Sequence, residues 1–225
     1  MVAAIRRFKG ARTPEEPGPL KMIRIDGRFD DWSDARPEYR DTIGDTAHRD
    51  WRGWGSLHYT NSTGRNDITT AKVACDPRNV YFYVKTRDPL TPCTDPNWML
   101  LLIDSDQDPT TGWHGYDYVV NSRVISPTVT TLRRVSDGKL TQIPYRVHGS
   151  ETEIAIPRAR IGQTGRPRIA FDFHWTDNIP FGADISRFSL DGDRPHTLSV
   201  AWNQDTSMLN LHYRLVKETS PTSTY

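Results

Sequence analysis

Apolar residues recur at every second position along this chain, in run after run, and no long stretch repeats them at helical spacing. Val80, Phe82 and Val84 alternate with Tyr81, Tyr83 and Lys85. Ile169, Phe171, Phe173 and Trp175 alternate with Ala170, Asp172 and His174. Leu209, Leu211, Tyr213 and Leu215 alternate with Asn210, His212 and Arg214, and Ile154 and Ile156 repeat the pattern. A period of two is the mark of a strand with one face turned to a core. "WMLLLID" is apolar throughout and reads as a central strand covered on both faces. "DPRN", "SDGK", "HGSE", "GQTGRP" and "LDGDRP" break the runs with turn-forming residues. Many strands without helical spacers predict an all-β fold, an antiparallel, jelly-roll-like β-sandwich over residues 21–217.

The two ends read differently. "VAAIRRF" has the look of the last turn or two of a helix, and "KGARTPEEPGPLK" breaks it with a linker composition, so residues 1–20 are expected to be a peripheral helix or linker, or the end of an upstream domain. The apolar part of this terminus is too short for a signal peptide. The polar "ETSPTSTY" at 218–225 is expected to be disordered.

Charge and hydropathy remove several classes. With 29 basic and 28 acidic residues the net charge is +1, which gives no electrostatic case for nucleic acid or an anionic membrane. No apolar run approaches the roughly 18 residues of a membrane span. Two cysteines, Cys75 and Cys93, leave both a disulfide and the redox compartment open.

Two stretches carry chemistry. "IDSDQDPTTGWHGYDYVV" places Asp104, Asp106 and Asp108 at alternate positions in a loop between two strands. Three carboxylates on one tight loop either face solvent as an acidic turn or curl around a hard cation, and calcium, with six to eight oxygen ligands, suits them. Thr110 or Thr111 could add an oxygen and Gly112 a bend. The spacing is not that of an EF-hand. Segment 40–70 fits neither strand nor helix period yet is rich in aromatics, which argues for a functional loop. Among seven tryptophans, Trp175 and Trp32 read as core, whereas Trp51, Trp54, Trp98 and Trp113 fall at loops or strand edges. An exposed indole stacks on the C–H face of a sugar while polar neighbours bond its hydroxyls. Trp98, Trp51 and Trp54 are the candidate platforms, with Arg65 and Asn66 as polar candidates; the alternative for each tryptophan is packing.

Catalytic patterns are weak. No HExxH, G-x-S-x-G or phosphate loop occurs, and the seven histidines form no metal pair at helical spacing. Carboxylates are plentiful without a recognisable acid/base pair. An enzyme acting on polysaccharide, hydrolase or lyase, with residues spread over a sandwich face is the competing class. A haem-binding sandwich would need an axial pair such as Met99 and His174, which nothing in the sequence brings together.

Four segments in order resemble family 9 carbohydrate-binding modules: the opening "IRIDGRFDDWSDA", then "AKVACDPRNVYFYVKTRDP", "DPNWMLLLIDSDQDPTTGW" and "RIAFDFHWTDN", spanning roughly 22–178. The resemblance implies a β-sandwich, usually calcium-bearing, that binds an oligosaccharide or polysaccharide without catalysis. It places Trp98 at the first tryptophan of a sugar clamp. The chain departs from the pattern after the late strand, where "IPFGADISRFSLDGDRP" has no second tryptophan, and Trp51 or Trp54 is the candidate replacement. The segments "YRDTIGDTAHRDWRGWG" and "TGRNDITTAKVA" also resemble modules appended C-terminally to glycan-processing hydrolases. That implies a covalently linked catalytic domain in a longer parent, and an extracellular or periplasmic location if the parent is exported.

Overall fold

The computed structural model describes residues 15–44, 49–52, 58–165, 168–178 and 198–203. Its strands are β1 (Glu38–Arg40), β2 (Arg49–Arg52), β3 (His58–Asn61), β4 (Ile68–Cys75), β5 (Asn79–Thr86), β6 (Leu100–Asp104), β7 (Tyr118–Ser126), β8 (Val129–Arg134), β9 (Leu140–His148), β10 (Glu151–Pro157), β11 (Arg168–Thr176) and β12 (Leu198–Asn203). Ten of them form one sheet in the order β1-β4-β5-β10-β9-β8-β7-β6-β11-β12, and β2 and β3 form a separate two-stranded ribbon. Every pairing in the large sheet is antiparallel. Among the described residues, helical structure is limited to short 3₁₀ turns at Asp30–Trp32 and Arg158–Ile161. The all-β expectation holds. Among the described residues no helix is long and apolar enough to cross a membrane. The expected helix over residues 2–8, the strand over 208–216 and the terminal tail lie outside the described residues.

The large sheet curls until its two wings face each other, which gives the sandwich. Phe82 of β5 packs on Phe171 and Phe173 of β11 at ring-centroid distances of 5.7 and 5.4 Å, and Tyr39 of β1 meets Phe173 at 5.7 Å. Val80 and Val84 of β5, Leu101 and Ile103 of β6, Ile154 and Ile156 of β10 and the inward residues of β11 fill the space between the wings. Edge-on and tilted aromatic pairs of this kind add about 0.5–1.5 kcal/mol each beyond the area they bury.

β5 departs from the one-sided pattern its alternation suggests. Tyr81 and Tyr83, on its other face, are also buried, 3% and 5% exposed. The opening segment covers them: Ile23, Trp32 and Ala35 pack against Tyr81, Tyr83, Ala74 and Ala155, with Trp32 stacked on Tyr83 at 5.3 Å. Glu153 of β10 clamps this cover, accepting from the Gly27 amide at 2.8 Å and from Trp32 Nε1 at 2.9 Å. Gly27 sits at φ 83, a left-handed turn that a residue with Cβ enters only at a cost. Burial raises the Glu153 pKa above its ordinary value, against the pull of those two N–H groups. The "IDGRFDDW" motif is thus a plug over the outside of β5 and β10.

β6 is buried on both faces as expected. Leu101 and Ile103 face the main core, while Leu100 and Leu102 pack with Tyr116 and Val119 on the other side. β6 therefore delivers Asp104 to a rigid position at the mouth of its loop.

Candidate metal site and the loops around Trp98

The β6–β7 connection gathers three carboxylates, but not the alternate-position set. Oxygens of Asp104, Asp106 and Asp117 all lie within 4.8 Å of one another. Two ligands on opposite sides of a calcium ion, each at about 2.4 Å, are separated by about that distance. Asp104 is fully buried at the end of β6, and its Oδ1 accepts the Gln107 amide at 2.7 Å. Asp117 enters from the residue before β7, its own amide bonded to the Ile103 carbonyl at 2.8 Å. Its Oδ2 accepts the Ser105 amide and hydroxyl at 2.9 and 2.7 Å.

Asp108 is the correction. Its Oδ1 accepts the amide and hydroxyl of Thr110 at 2.8 and 2.6 Å, which hold its pKa below the ordinary value. Strict alternation fails because Gln107, at φ 60, turns the chain left-handed between Asp106 and Asp108. The loop then doubles back through Gly112 at φ 59, where a Cβ would stand 2.1 Å from the Tyr116 carbonyl oxygen. That close approach, which only glycine allows, brings Asp117 beside Asp106. Gly112 and the aspartate of "GYDYVV" were the available signals for Asp117.

Thr111 lies among these oxygens. Its Oγ1 is 3.2 and 3.3 Å from the two oxygens of Asp106, 3.1 Å from the Asp108 carbonyl and 3.1 Å from Asp117 Oδ1. One hydroxyl proton cannot serve all four acceptors. The donors that reach Asp106 and Asp117 are neutral: the Asp108 amide, Thr111 and Ser105. With an effective dielectric near 20, two carboxylates 4.8 Å apart repel by about 3 kcal/mol. The donor set is oxygen throughout, which suits a hard cation such as calcium rather than zinc or copper.

Trp98 is 3% exposed and belongs to the main core, its Nε1 donating to the Thr91 carbonyl at 2.8 Å. The expectation of Trp98 as an exposed platform is therefore corrected: no ring face is open to a sugar. Arg65 and Asn66 hold its loop in place instead. Arg65 Nε reaches Asp177 Oδ2 at 2.7 Å and its Nη1 reaches Asp95 at 3.3 Å. Asn66 Nδ2 donates to Thr91 Oγ1 at 2.9 Å and to Asp177 Oδ1 at 3.1 Å, and the Met99 amide adds a third bond to Asp177 at 2.9 Å. Asn97 and Met99, on either side of the tryptophan, take left-handed φ values of 52 and 40, a local strain this network sustains. Asp177 stands in the short turn after β11, and nothing in its spacing links it to residues 65, 66 and 99.

Trp51 lies in β2 as the register partner of Tyr59 in β3. Its side chain, and Trp54 altogether, lie outside the described residues. Met99 is buried in the main core, while His174 faces Tyr116 across the other side of the sheet, Nδ1 3.4 Å from the hydroxyl, so no axial pair forms. Comparison with protein-family models, with curated proteins and with solved structures finds no match.

Proposed function

We propose that this chain is a noncatalytic carbohydrate-binding module whose β6–β7 loop holds one structural calcium ion through Asp104, Asp106 and Asp117. The observation that carries the calcium is the meeting of three carboxylates from both ends of that loop within 4.8 Å. The ion would supply charge balance and rigidity to the hairpin between two buried strands. On this reading sugar meets the β2–β3 ribbon, where Trp51 and Tyr59 are register partners outside the main sheet. The pairing of two aromatic residue types in this ribbon supports the reading, since aromatic rings are what stack on sugars. Trp54 in the adjoining segment is the second candidate platform. Trp98, Arg65 and Asn66 act here through the fold rather than through contact with sugar.

A glycan array followed by calorimetry on the best ligand, with wild type, Trp51→Ala and Trp54→Ala, tests this. Binding that falls at least tenfold in one variant, without sugar turnover in product analysis, is the expected result. No glycan retained by the wild type, or turnover by the isolated chain, overturns it.

A further inference from the structure

A cleft opens on the inward face of the sheet, where β7, β8 and β9 run past the packed core. Leu132 of β8, 2% exposed, forms its floor. Tyr118 stands opposite Arg134 across the β7–β8 pair, and Thr141 stands opposite Leu132 across the β8–β9 pair. Lys139 precedes β9 and is tied to Arg134 through the backbone, the Arg134 amide donating to the Lys139 carbonyl at 2.9 Å. Ala159 and Arg160 close the far side from the 3₁₀ turn at Arg158–Ile161.

That turn is fixed in place. Arg158 is 3% exposed, with Nε bonded to the Gln163 carbonyl at 2.9 Å and Nη1 to the Pro77 carbonyl at 3.0 Å. Ile161 is buried in the main core. With Arg158 and Ile161 both anchored, Ala159 and Arg160 are the two residues of the turn that line the cleft.

The cleft measures about 110 Å³, or three to four water volumes at roughly 30 Å³ each. That admits one charged group with the carbons that bear it. Its lining holds three cations and no carboxylate. Arg134 shares its charge with Asp137, Nε to Oδ1 at 2.9 Å, whereas Lys139 and Arg160 form no ion pair among the described residues. Arg160, Lys139 (which also lies in the field of Asp137), two hydroxyls and an aromatic ring around a small cleft select for an oxyanion on a partly apolar carrier.

We infer that this cleft binds the carboxylate or sulfate group of an acidic saccharide through Arg160, Lys139 and Arg134. The inference rests on the carbohydrate-binding reading and adds the ligand's charge to it. Affinity for such a ligand falls steeply with salt, because the cations lie at the surface.

The test is calorimetry on the full chain with four oligosaccharide probes and one ion. Tetragalacturonate is set against its neutral methyl ester, dextran sulfate oligosaccharide against neutral dextran, and sodium sulfate stands alone. The first two comparisons separate a carboxylate source from a sulfate source. The expected result is binding of at least one anionic oligosaccharide over its neutral counterpart, lost at least tenfold in Arg160→Ala and in Lys139→Ala. Both residues are exposed, so unchanged melting of the variants serves as the folding control. Absence of anionic binding, equal affinity in the variants, or competition by sodium sulfate as tight as the oligosaccharide overturns the inference. Neutral-glycan binding that depends on Trp51, with no binding of either anionic probe over its neutral counterpart, would sink this inference and leave the platform standing. Anionic binding that depends on Arg160 but not on Trp51 would do the reverse.

Discussion

Asp117→Asn and Asp108→Asn, compared with and without calcium, separate the ligand set proposed from the fold from the one expected from the sequence. If the wild type binds one ion in the native state only, a hundredfold excess of calcium over its dissociation constant adds about 2.7 kcal/mol. For a chain of this size, about 2–4 °C per kcal/mol turns that into a rise of roughly 5–11 °C in melting midpoint. Asp117→Asn removes one carboxylate of the three that meet within 4.8 Å. It should lose most of the calcium-dependent rise. In chelator the same substitution relieves two of the three mutual repulsions, each about 3 kcal/mol before solvent screening, so its cost there is small even though the two bonds from Ser105 weaken. Asp108→Asn should keep the full rise, because the Asp108 carboxylate is engaged by Thr110 at 2.8 and 2.6 Å. The assay is a melting series by circular dichroism in calcium and in chelator. A wild-type midpoint that does not move would falsify the ion itself, and loss of the rise in Asp108→Asn with retention in Asp117→Asn would refute the ligand assignment.

Other residues give independent checks. Trp98→Ala should cost about 3–5 kcal/mol, as for other buried aromatics, whereas Trp98→Phe should leave glycan affinity unchanged; an affinity loss in a stable Trp98→Phe variant would restore the platform role. Because burial raises the folded-state pKa of Glu153 above its ordinary 4.5, its contribution to stability is fully present below that value and is lost as pH rises through the folded pKa. Urea unfolding of wild type and Glu153→Gln at pH 4 and pH 7 should therefore show the wild type losing ground to the variant at the higher pH, and a pH-independent difference would contradict this. Cys75 is buried with its thiol pKa pushed up to about 12, while Cys93 is exposed. A native thiol titration should count one fast-reacting group and a second only on unfolding; two fast thiols would show that Cys75 is not held in the core.

What the sequence made legible follows from the range over which each signal acts. A period of two is a local property, so β5, β6, β10 and β11 could be placed from their own residues, and the double-sided burial of β6 followed from an unbroken apolar run. The second covering of β5 could not be read that way, because it depends on Glu153 holding Gly27 and Trp32 from a strand more than a hundred residues later. The same limit governs both sites. Asp104 and Asp106 sit on the strand end and its first turn, where local spacing is informative, but Asp117 reaches them only because Gly112 lets two stretches of backbone touch. Trp98 shows the opposite failure: a loop position suggests exposure, yet Arg65, Asn66, Met99 and Asp177 bind the loop inward from three separate segments. Arg134, Lys139 and Arg160 are unremarkable in sequence, since each looks like an ordinary surface cation beside a turn. They become a cleft only because the buried Arg158 and Ile161 set the turn across the ends of β7, β8 and β9. In each case a close-packed position brings sequence-distant polar residues together: Gly112 for Asp106 and Asp117, and Arg158 with Ile161 for Arg160, Arg134 and Lys139.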